Sequence, residues 1–110
     1  MTGFVEIART SEVPDGWVLD VRVGPRTFAV ANRAGTFHVL DGTCSHAGGP
    51  LGSGRLEDGC LLRCPWHEAA FDVRTGEPGD GPARRPVRTY PTHVSGGVIY
   101  AAIERPGGGT

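Results

Sequence analysis

The sequence contains no lysine and no long apolar segment, and both absences narrow the class of protein. All eleven basic residues are arginine, and with twelve acidic residues they give a net charge of −1. A domain that binds nucleic acid usually carries a basic excess on one face, so we expect no nucleic-acid partner. The longest apolar run, residues 98–103, is far shorter than the roughly 20 residues of a membrane span. Residues 1–10 lack a secretory signal pattern, so we expect a cytoplasmic protein with no membrane association.

Helical periodicity is also missing, whereas alternating apolar positions are frequent. No stretch of ten or more residues repeats its apolar positions near a period of 3.6. The pattern predicts a single all-β domain built of small antiparallel sheets. We expect a three-stranded meander at 17–23, 27–30 and 36–40, then short strands at 55–57, 60–63 and 69–73, and final strands at 87–94 and 98–103.

Cysteine is scarce, and its number is odd. The three cysteines are Cys44, Cys60 and Cys64. An odd count in a cytoplasmic chain argues against a disulfide framework and favours a metal site, catalysis or simple burial. Residues 41–54 include five glycines and one proline. Such a long loop in a small domain is usually either functional or disordered.

Two loops each pair one cysteine with one histidine. The first has Cys44 and His46, the second has Cys64 and His67, and seventeen residues separate His46 from Cys64. Thiolate and imidazole ligands together suit zinc or iron–sulfur chemistry. Structural zinc sites usually pair cysteine with cysteine and histidine with histidine, at wider spacings. A Rieske [2Fe–2S] centre has two cysteines on one iron and two histidines on the other, which is the ligand set that the two loops offer. The alternatives are a zinc site or an empty site.

The sequence resembles Rieske ferredoxins in its motifs and in the order of its strands. The similar motifs are Cys-Ser-His-Ala-Gly-Gly-Pro-Leu at 44–51, Cys-Pro-Trp-His at 64–67 and Phe-Asp-Val-Arg-Thr-Gly at 71–76. The resemblance extends over residues 5–103. It implies the Rieske fold, with an inserted cluster-binding part with two loops at about 41–76. The length of the chain predicts one domain at 1–110, and its glycine-rich end predicts a frayed tail at about 104–110.

The resemblance also assigns the ligands of one Rieske [2Fe–2S] cluster. It implies that Cys44 and Cys64 bind the inner iron, whereas His46 and His67 bind the outer iron near the surface. Trp66, inside the second loop, would shield the cluster from water.

Three positions near the expected ligands indicate a low reduction potential. High-potential members of the family join an extra cysteine from each loop in a disulfide, and the matching positions here are Gly49 and Trp66. Those members also have a serine that donates to a bridging sulfide, and here that position is Ala69. Fewer hydrogen bonds to sulfur stabilise the reduced state less. We therefore expect a potential below zero, on the order of −150 mV.

Glu68 departs from the family, because many members have glycine directly after the last ligand histidine. The loop backbone there cannot need a conformation open only to glycine. A carboxylate beside the outer iron would disfavour the extra electron and favour protonation of any titrating imidazole. The alternative is that Glu68 points to solvent.

The remaining candidates have structural interpretations. We expect Cys60 to be a small buried residue, with redox sensing as the alternative. His38 and His93 are expected to be solvated or hydrogen-bonded strand residues. The arginine-rich run at 84–88 would either be solvated or dock an acidic partner.

The predicted function is electron transfer, not catalysis. The chain has no glycine-rich nucleotide loop, no nucleophilic serine elbow and no di-iron motif. By resemblance, it accepts an electron from a ferredoxin reductase and passes it to the terminal oxygenase of an aromatic-ring dioxygenase, as a monomer that docks transiently near His46 and His67. The alternatives are the small Rieske subunit of an NAD(P)H-dependent nitrite reductase and a structural zinc module.

Overall fold

The computed structural model describes residues 3–45, 48–66 and 68–103, and strands are the main regular structure of this part of the chain. Two 3₁₀ helices, at Thr10–Glu12 and Leu51–Ser53, are the helical segments of the described residues. All strand pairs are antiparallel and form three small sheets, which confirms the predicted all-β class. In chain order the strands are β1 (Phe4–Arg9), β2 (Val18–Val23), β3 (Arg26–Arg33), β4 (Thr36–Asp41), β5 (Arg55–Glu57), β6 (Leu61–Arg63), β7 (Ala70–Asp72), β8 (Thr89–Tyr90), β9 (Thr92–Ser95) and β10 (Val98–Ala102).

The second sheet, with order β2-β3-β4-β8, contains the predicted meander and separates two cores. Residues 28–31 of β3 are fully buried, which means that both faces of this strand are covered. Phe28 and Val30 pack into one core, whereas Ala29 and Ala31 pack into the core that holds Cys44 and Cys64. Successive strand residues point to opposite faces, so one strand can supply both cores.

The first sheet, with order β1-β10-β9, includes a strand that the sequence pattern did not predict. The register of β1 against β10 shifts between Glu6 and Ala8. As a result, the consecutive residues Ile7 and Ala8 are both buried. A bulge of this kind breaks the two-residue alternation by which a strand is recognised.

The prediction of one strand at 87–94 was wrong. The structure divides this segment at Pro91, with β8 in the second sheet and β9 in the first. Proline has no N–H to donate to a ladder, so it suits the point where the chain leaves one sheet for another.

The third sheet, with order β5-β6-β7, lies between β4 and β8 in the chain and carries the two candidate ligand loops. The predicted strand at 55–57 matches β5. The predicted strand at 60–63 matches β6, which begins one residue later, and the predicted strand at 69–73 matches β7, which is one residue shorter at each end. Among the described residues, no helix is long and apolar enough to cross a membrane.

Candidate metal centre

The first loop, between β4 and β5, is folded tightly around Cys44. The N–H of Cys44 donates to the carbonyl of Gly49, and the N–H of Gly48 donates to the carbonyl of Cys44, both at 2.9 Å. Thr43 and Pro50 pair as an isolated bridge just outside this turn. Cys44 is only 2% exposed, because the turn places its side chain inward.

The second loop joins β6 to β7 and closes on Cys64. The N–H of Cys64 donates to the carbonyl of Ala69 at 2.7 Å, and Cys64 is fully buried. Glu68 has a φ of 61°, in the left-handed region that favours glycine. A non-glycine residue adopts that region at a cost of roughly 1 kcal/mol. The loop therefore keeps a backbone conformation suited to glycine although the residue is glutamate.

The structure brings the two candidate cysteine ligands together. The thiols of Cys44 and Cys64 lie within hydrogen-bonding distance of each other, and neither cysteine is part of a disulfide. Burial is the largest influence on Cys64 and raises the pKa of its thiol. A hydrogen bond from the main-chain N–H of Trp66 lowers this pKa. The neighbouring Cys44 thiol adds to the increase.

Two adjacent buried thiols fit an iron–sulfur centre. Without a metal, burial opposes the thiolate form, whereas iron would stabilise both thiolates in the same space. The main-chain N–H of Trp66 donates a hydrogen bond to the sulfur of Cys64. Hydrogen bonds of this kind to ligand atoms tune the properties of metal clusters. The donor chemistry of this pair therefore matches the inner-iron ligands that the sequence predicts.

His46 and His67, the predicted ligands of the outer iron, lie outside the described residues, as does the tail at 104–110. The described part of the chain shows no group of three or more histidine, cysteine or acidic side chains that could hold a metal ion. The structure thus shows where two of the four candidate residues lie, and the assignment of all four as cluster ligands stays a prediction from the motifs.

Gly49 and Trp66, the positions matched to the disulfide of high-potential relatives, are direct neighbours. A Cβ atom on Gly49 would lie 2.9 Å from Cβ of Trp66 and 2.8 Å from Sγ of Cys64. The two loops therefore touch at these positions without a covalent link. The Trp66 side chain is 51% exposed, so the predicted shielding by its indole is at most partial. Ala69 is fully buried and has no side-chain donor.

The carboxylate of Glu68 is held by arginines. Its Oε1 lies 3.2 Å from Arg55 Nη2 and 4.0 Å from Arg63 Nε, and the side chain is 57% exposed. Of the two predicted alternatives, the structure favours the solvent-facing one, with partial neutralisation by Arg55 and Arg63.

Arg63 is a site residue that the sequence reasoning missed. Its Nη1 donates to the main-chain carbonyl of Glu68 at 2.7 Å, and its Nε donates to Oε1 of Glu57 at 2.9 Å. Its Nη2 donates to Oδ1 of Asp80 at 3.0 Å. The side chain is 12% exposed. The only signal for Arg63 in the sequence was its charge at the position directly before Cys64. Its pairing with Arg55 across β5 and β6 is visible only in the structure.

The other residues singled out from the sequence lie apart from the paired thiols. Cys60 is half-buried and packs against the core that holds them, which is consistent with a packing role. His38 accepts a hydrogen bond from Arg33 Nε at 3.1 Å, and its burial lowers its pKa. His93 is exposed, with its ring 6.3 Å from that of Tyr100. Both histidines therefore have the predicted structural environments.

An all-β fold that brings two buried cysteines from paired loops together is compatible with an iron–sulfur protein, and comparison with known proteins establishes that class. The model of the Rieske [2Fe-2S] domain matches residues 3–91. The 3-phenylpropionate/cinnamic acid dioxygenase ferredoxin subunit of Escherichia coli K12 is 38% identical over 90 residues, which cover 82% of this chain and 84% of the relative. The chain therefore belongs to the Rieske [2Fe–2S] family.

Solved structures place the chain near the ferredoxins of the family. The ferredoxin of carbazole 1,9a-dioxygenase from Nocardioides aromaticivorans IC177 is 29% identical, with a TM-score of 0.86, over 94% of this chain and all of that one. A chain from a complex of reduced oxygenase and oxidized ferredoxin in carbazole 1,9a-dioxygenase is 31% identical, with a TM-score of 0.85, over 96% of this chain and 98% of that one. The predicted family, fold and cofactor are confirmed. The relatives are electron carriers and not catalytic subunits, in line with the predicted class of function.

Proposed function

We propose that this protein is the ferredoxin component of an aromatic-ring dioxygenase system and supplies single electrons to its terminal oxygenase. The observation that carries the proposal is the pair of buried thiols, Cys44 and Cys64, in a chain similar over nearly its whole length to dioxygenase ferredoxins. When bound, a Rieske cluster supplies a one-electron redox couple. The protein's own residues bury the two thiols, hold the two loops against each other and leave Trp66 half-exposed.

The finer parts of the proposal concern partners, potential and location. We propose that a ferredoxin reductase is the electron donor and that both partners dock transiently near His46 and His67. The half-exposed Trp66, beside His67 in sequence, supports an accessible site. The buried Ala69, which lacks a hydroxyl, supports a low potential. Three cysteines without a disulfide support a cytoplasmic location, and a diffusible carrier has no need to oligomerise.

The experiment that tests the function is purification of the protein from its own cells under gentle conditions. Gel filtration is followed by visible absorbance and by the polypeptides in each fraction. A red-brown peak near the chain's mass of 11.6 kDa supports a diffusible ferredoxin. A stoichiometric complex with a sirohaem-containing protein would instead identify the nitrite-reductase subunit. A colourless, zinc-containing protein would contradict both.

A further inference from the structure

We infer that Arg84 and Arg85 form a cationic docking site for an acidic surface of the electron-transfer partner, next to the first ligand loop. This inference rests on the proposed function and specifies the chemistry of the partner. Both arginines are exposed, and they lie in the segment that connects the third sheet back to the second. Their charge does not follow from general basicity, because the chain has a net charge of −1.

The position of the arginines beside the ligand loop is set by a hydrogen bond. The hydroxyl of Ser45 donates to the main-chain carbonyl of Arg85 at 2.6 Å. Ser45 lies between Cys44 and His46 in the sequence, so this contact joins the arginine segment to the loop that carries two predicted ligands. Ser45, Pro82, Arg84 and Arg85 line a surface recess of about 470 Å³. A partner side chain that enters this recess would lie next to the first ligand loop.

The guanidinium groups of Arg84 and Arg85 are available to a partner. Within the described part of the chain, no carboxylate forms an ion pair with either of them. The nearby Asp80 is already paired with Arg63, and Arg88 lies over the ring of Tyr90 with 5.2 Å to its centroid. The arginine pair therefore differs from its neighbours, whose charges are engaged within the fold.

The chemistry of the surface favours an acidic protein. Guanidinium groups match carboxylates in geometry and bind them through two parallel hydrogen bonds. Exposed arginine and tryptophan side chains are also the residues most enriched where protein interfaces gain their binding energy. Trp66 is exposed on the second ligand loop, which touches the first loop through Gly49. An acidic partner docked on Arg84 and Arg85 would thus approach the side of the domain where the ligand loops meet.

The test measures electron transfer from the reduced holoprotein to two protein acceptors of opposite surface charge, an acidic blue-copper protein and a basic c-type cytochrome. Stopped-flow absorbance gives the second-order rate constants at low ionic strength. The variant is R84E/R85E, and the matched control is R9E/R22E, which makes the same charge change at exposed positions of β1 and β2. Iron content and circular dichroism establish that each variant keeps its cluster and fold.

We expect R84E/R85E to slow transfer to the acidic acceptor about tenfold and to accelerate transfer to the basic one, because local charge steers association. High salt should remove most of the difference. The control pair should change both rates by less than about twofold. Equal effects of the two pairs would overturn the docking site but leave the proposed function intact. Failure of the reduced wild-type protein to reduce either acceptor would overturn the proposed function, and the docking site with it.

Discussion

The guanidinium of Arg63 donates a hydrogen bond to the main-chain carbonyl of Glu68, at 2.7 Å. Arg63 directly precedes Cys64, and Glu68 directly follows His67. Together with the bond from the Cys64 N–H to the Ala69 carbonyl, this contact closes the base of the second ligand loop. It also secures Glu68, which holds a left-handed backbone conformation without being glycine.

Acidic side chains offset the repulsion between Arg63 and its neighbour across the sheet. Arg63 faces Arg55 directly across β5 and β6, a pairing of like charges that destabilises a sheet. Glu57 contacts both arginines, at 2.8 Å and 2.9 Å, and Glu68 lies near both. The hydrogen bond from Arg63 is the main reason that the pKa of Glu57 is lowered. Glu68 is therefore part of the structure that holds the loop, although the family motif suggests glycine there.

Replacement of Arg63 by methionine should weaken the hold of the protein on its cluster. The variant loses the bonds to Glu57, Asp80 and the Glu68 carbonyl, so the loop that carries Cys64 opens more readily. We expect the rate of bleaching by an iron chelator to rise roughly five- to tenfold, in line with the loss of hydrogen bonds to charged groups. The electron paramagnetic resonance spectrum should broaden, because loop positions become less uniform.

Two further variants separate positioning by Arg63 from general stability. R63K keeps the charge but lacks the planar fork, so it should restore only part of the wild-type behaviour. R74M removes the exposed ion pair with Asp72 and should change the bleaching rate by no more than about twofold. Equal bleaching rates for R63M and the wild type would show that the loop does not depend on this contact.

In this chain, with Trp66 opposite, Gly49 should favour cluster binding because of the space it leaves beside Trp66 and Cys64. A methyl group there would lie 2.8 Å from the Cys64 sulfur and 2.9 Å from the side chain of Trp66. We expect G49A to contain less than about half of the wild-type iron while its far-ultraviolet circular dichroism is retained. G59A is the control, since Gly59 has a φ of 79° but no atom within 4 Å of an added Cβ. It should lose roughly 1 kcal/mol of stability and no iron. Full iron content in G49A would refute the steric argument.

The sequence allowed the local features of this fold to be predicted, but not the features that depend on distant contacts. In β2 and β3, every second side chain packs into the same core, as Val21 and Phe28 do, and this produces the alternation. The paired Cys–His motifs reflect ligand chemistry. Both features are therefore visible in a single sequence. The bulge in β1 hides its alternation, since Ile7 and Ala8 are both buried.

Long-range contacts explain the remaining failures. The division at Pro91 follows from a change of sheet, which no local pattern reports. The contacts of Arg63 reach Asp80, seventeen residues away, through a side chain that sequence patterns describe only as charged. The recess beside Ser45 depends on a hydrogen bond across forty residues, and it too appears only in the folded chain.

The reduction potential should lie below zero and should rise when Ala69 becomes serine. Ala69 is fully buried two residues after His67, where a hydroxyl could donate to the cluster. A bond that stabilises the reduced state by about 1 kcal/mol corresponds to roughly 40 mV for one electron. We therefore expect A69S to shift the midpoint upward by tens of millivolts in protein-film voltammetry.

Ala70 provides the control for this shift. It is also fully buried, but it is the first residue of β7 and, unlike Ala69, is not part of the core cluster that holds Cys44 and Cys64. A70S should leave the midpoint within about 10 mV of the wild type, on the same conversion. A wild-type midpoint above about +100 mV would contradict the low-potential assignment altogether.

Tyr90 should make the stability of the protein fall at high pH. Its hydroxyl donates to Oδ1 of Asp41 at 2.5 Å and accepts from Nη2 of Arg26 at 2.7 Å, next to the start of the first ligand loop. Burial, and then the bond to Asp41, raise the pKa of Tyr90 to about 12. An unfolded chain ionises tyrosine near pH 10. Because the folded state favours the neutral phenol, this stabilisation is complete below about pH 10 and is lost as the pH rises to about 12.

The measurement compares urea unfolding of the wild type and Y90F between pH 8 and pH 12. At pH 8 the wild type should be more stable by about 1 kcal/mol, because Y90F lacks the hydroxyl that joins Arg26 to Asp41. The difference should shrink steadily above pH 10. The chain contains no lysine, so this range is free of the amine titration that obscures tyrosine in most proteins. The difference in tyrosinate absorbance near 295 nm between the wild type and Y90F follows the ionisation of Tyr90, because Tyr100 contributes to both. A difference between the two proteins that stays constant from pH 8 to pH 12 would show that the phenol of Tyr90 titrates alike in the folded and unfolded states.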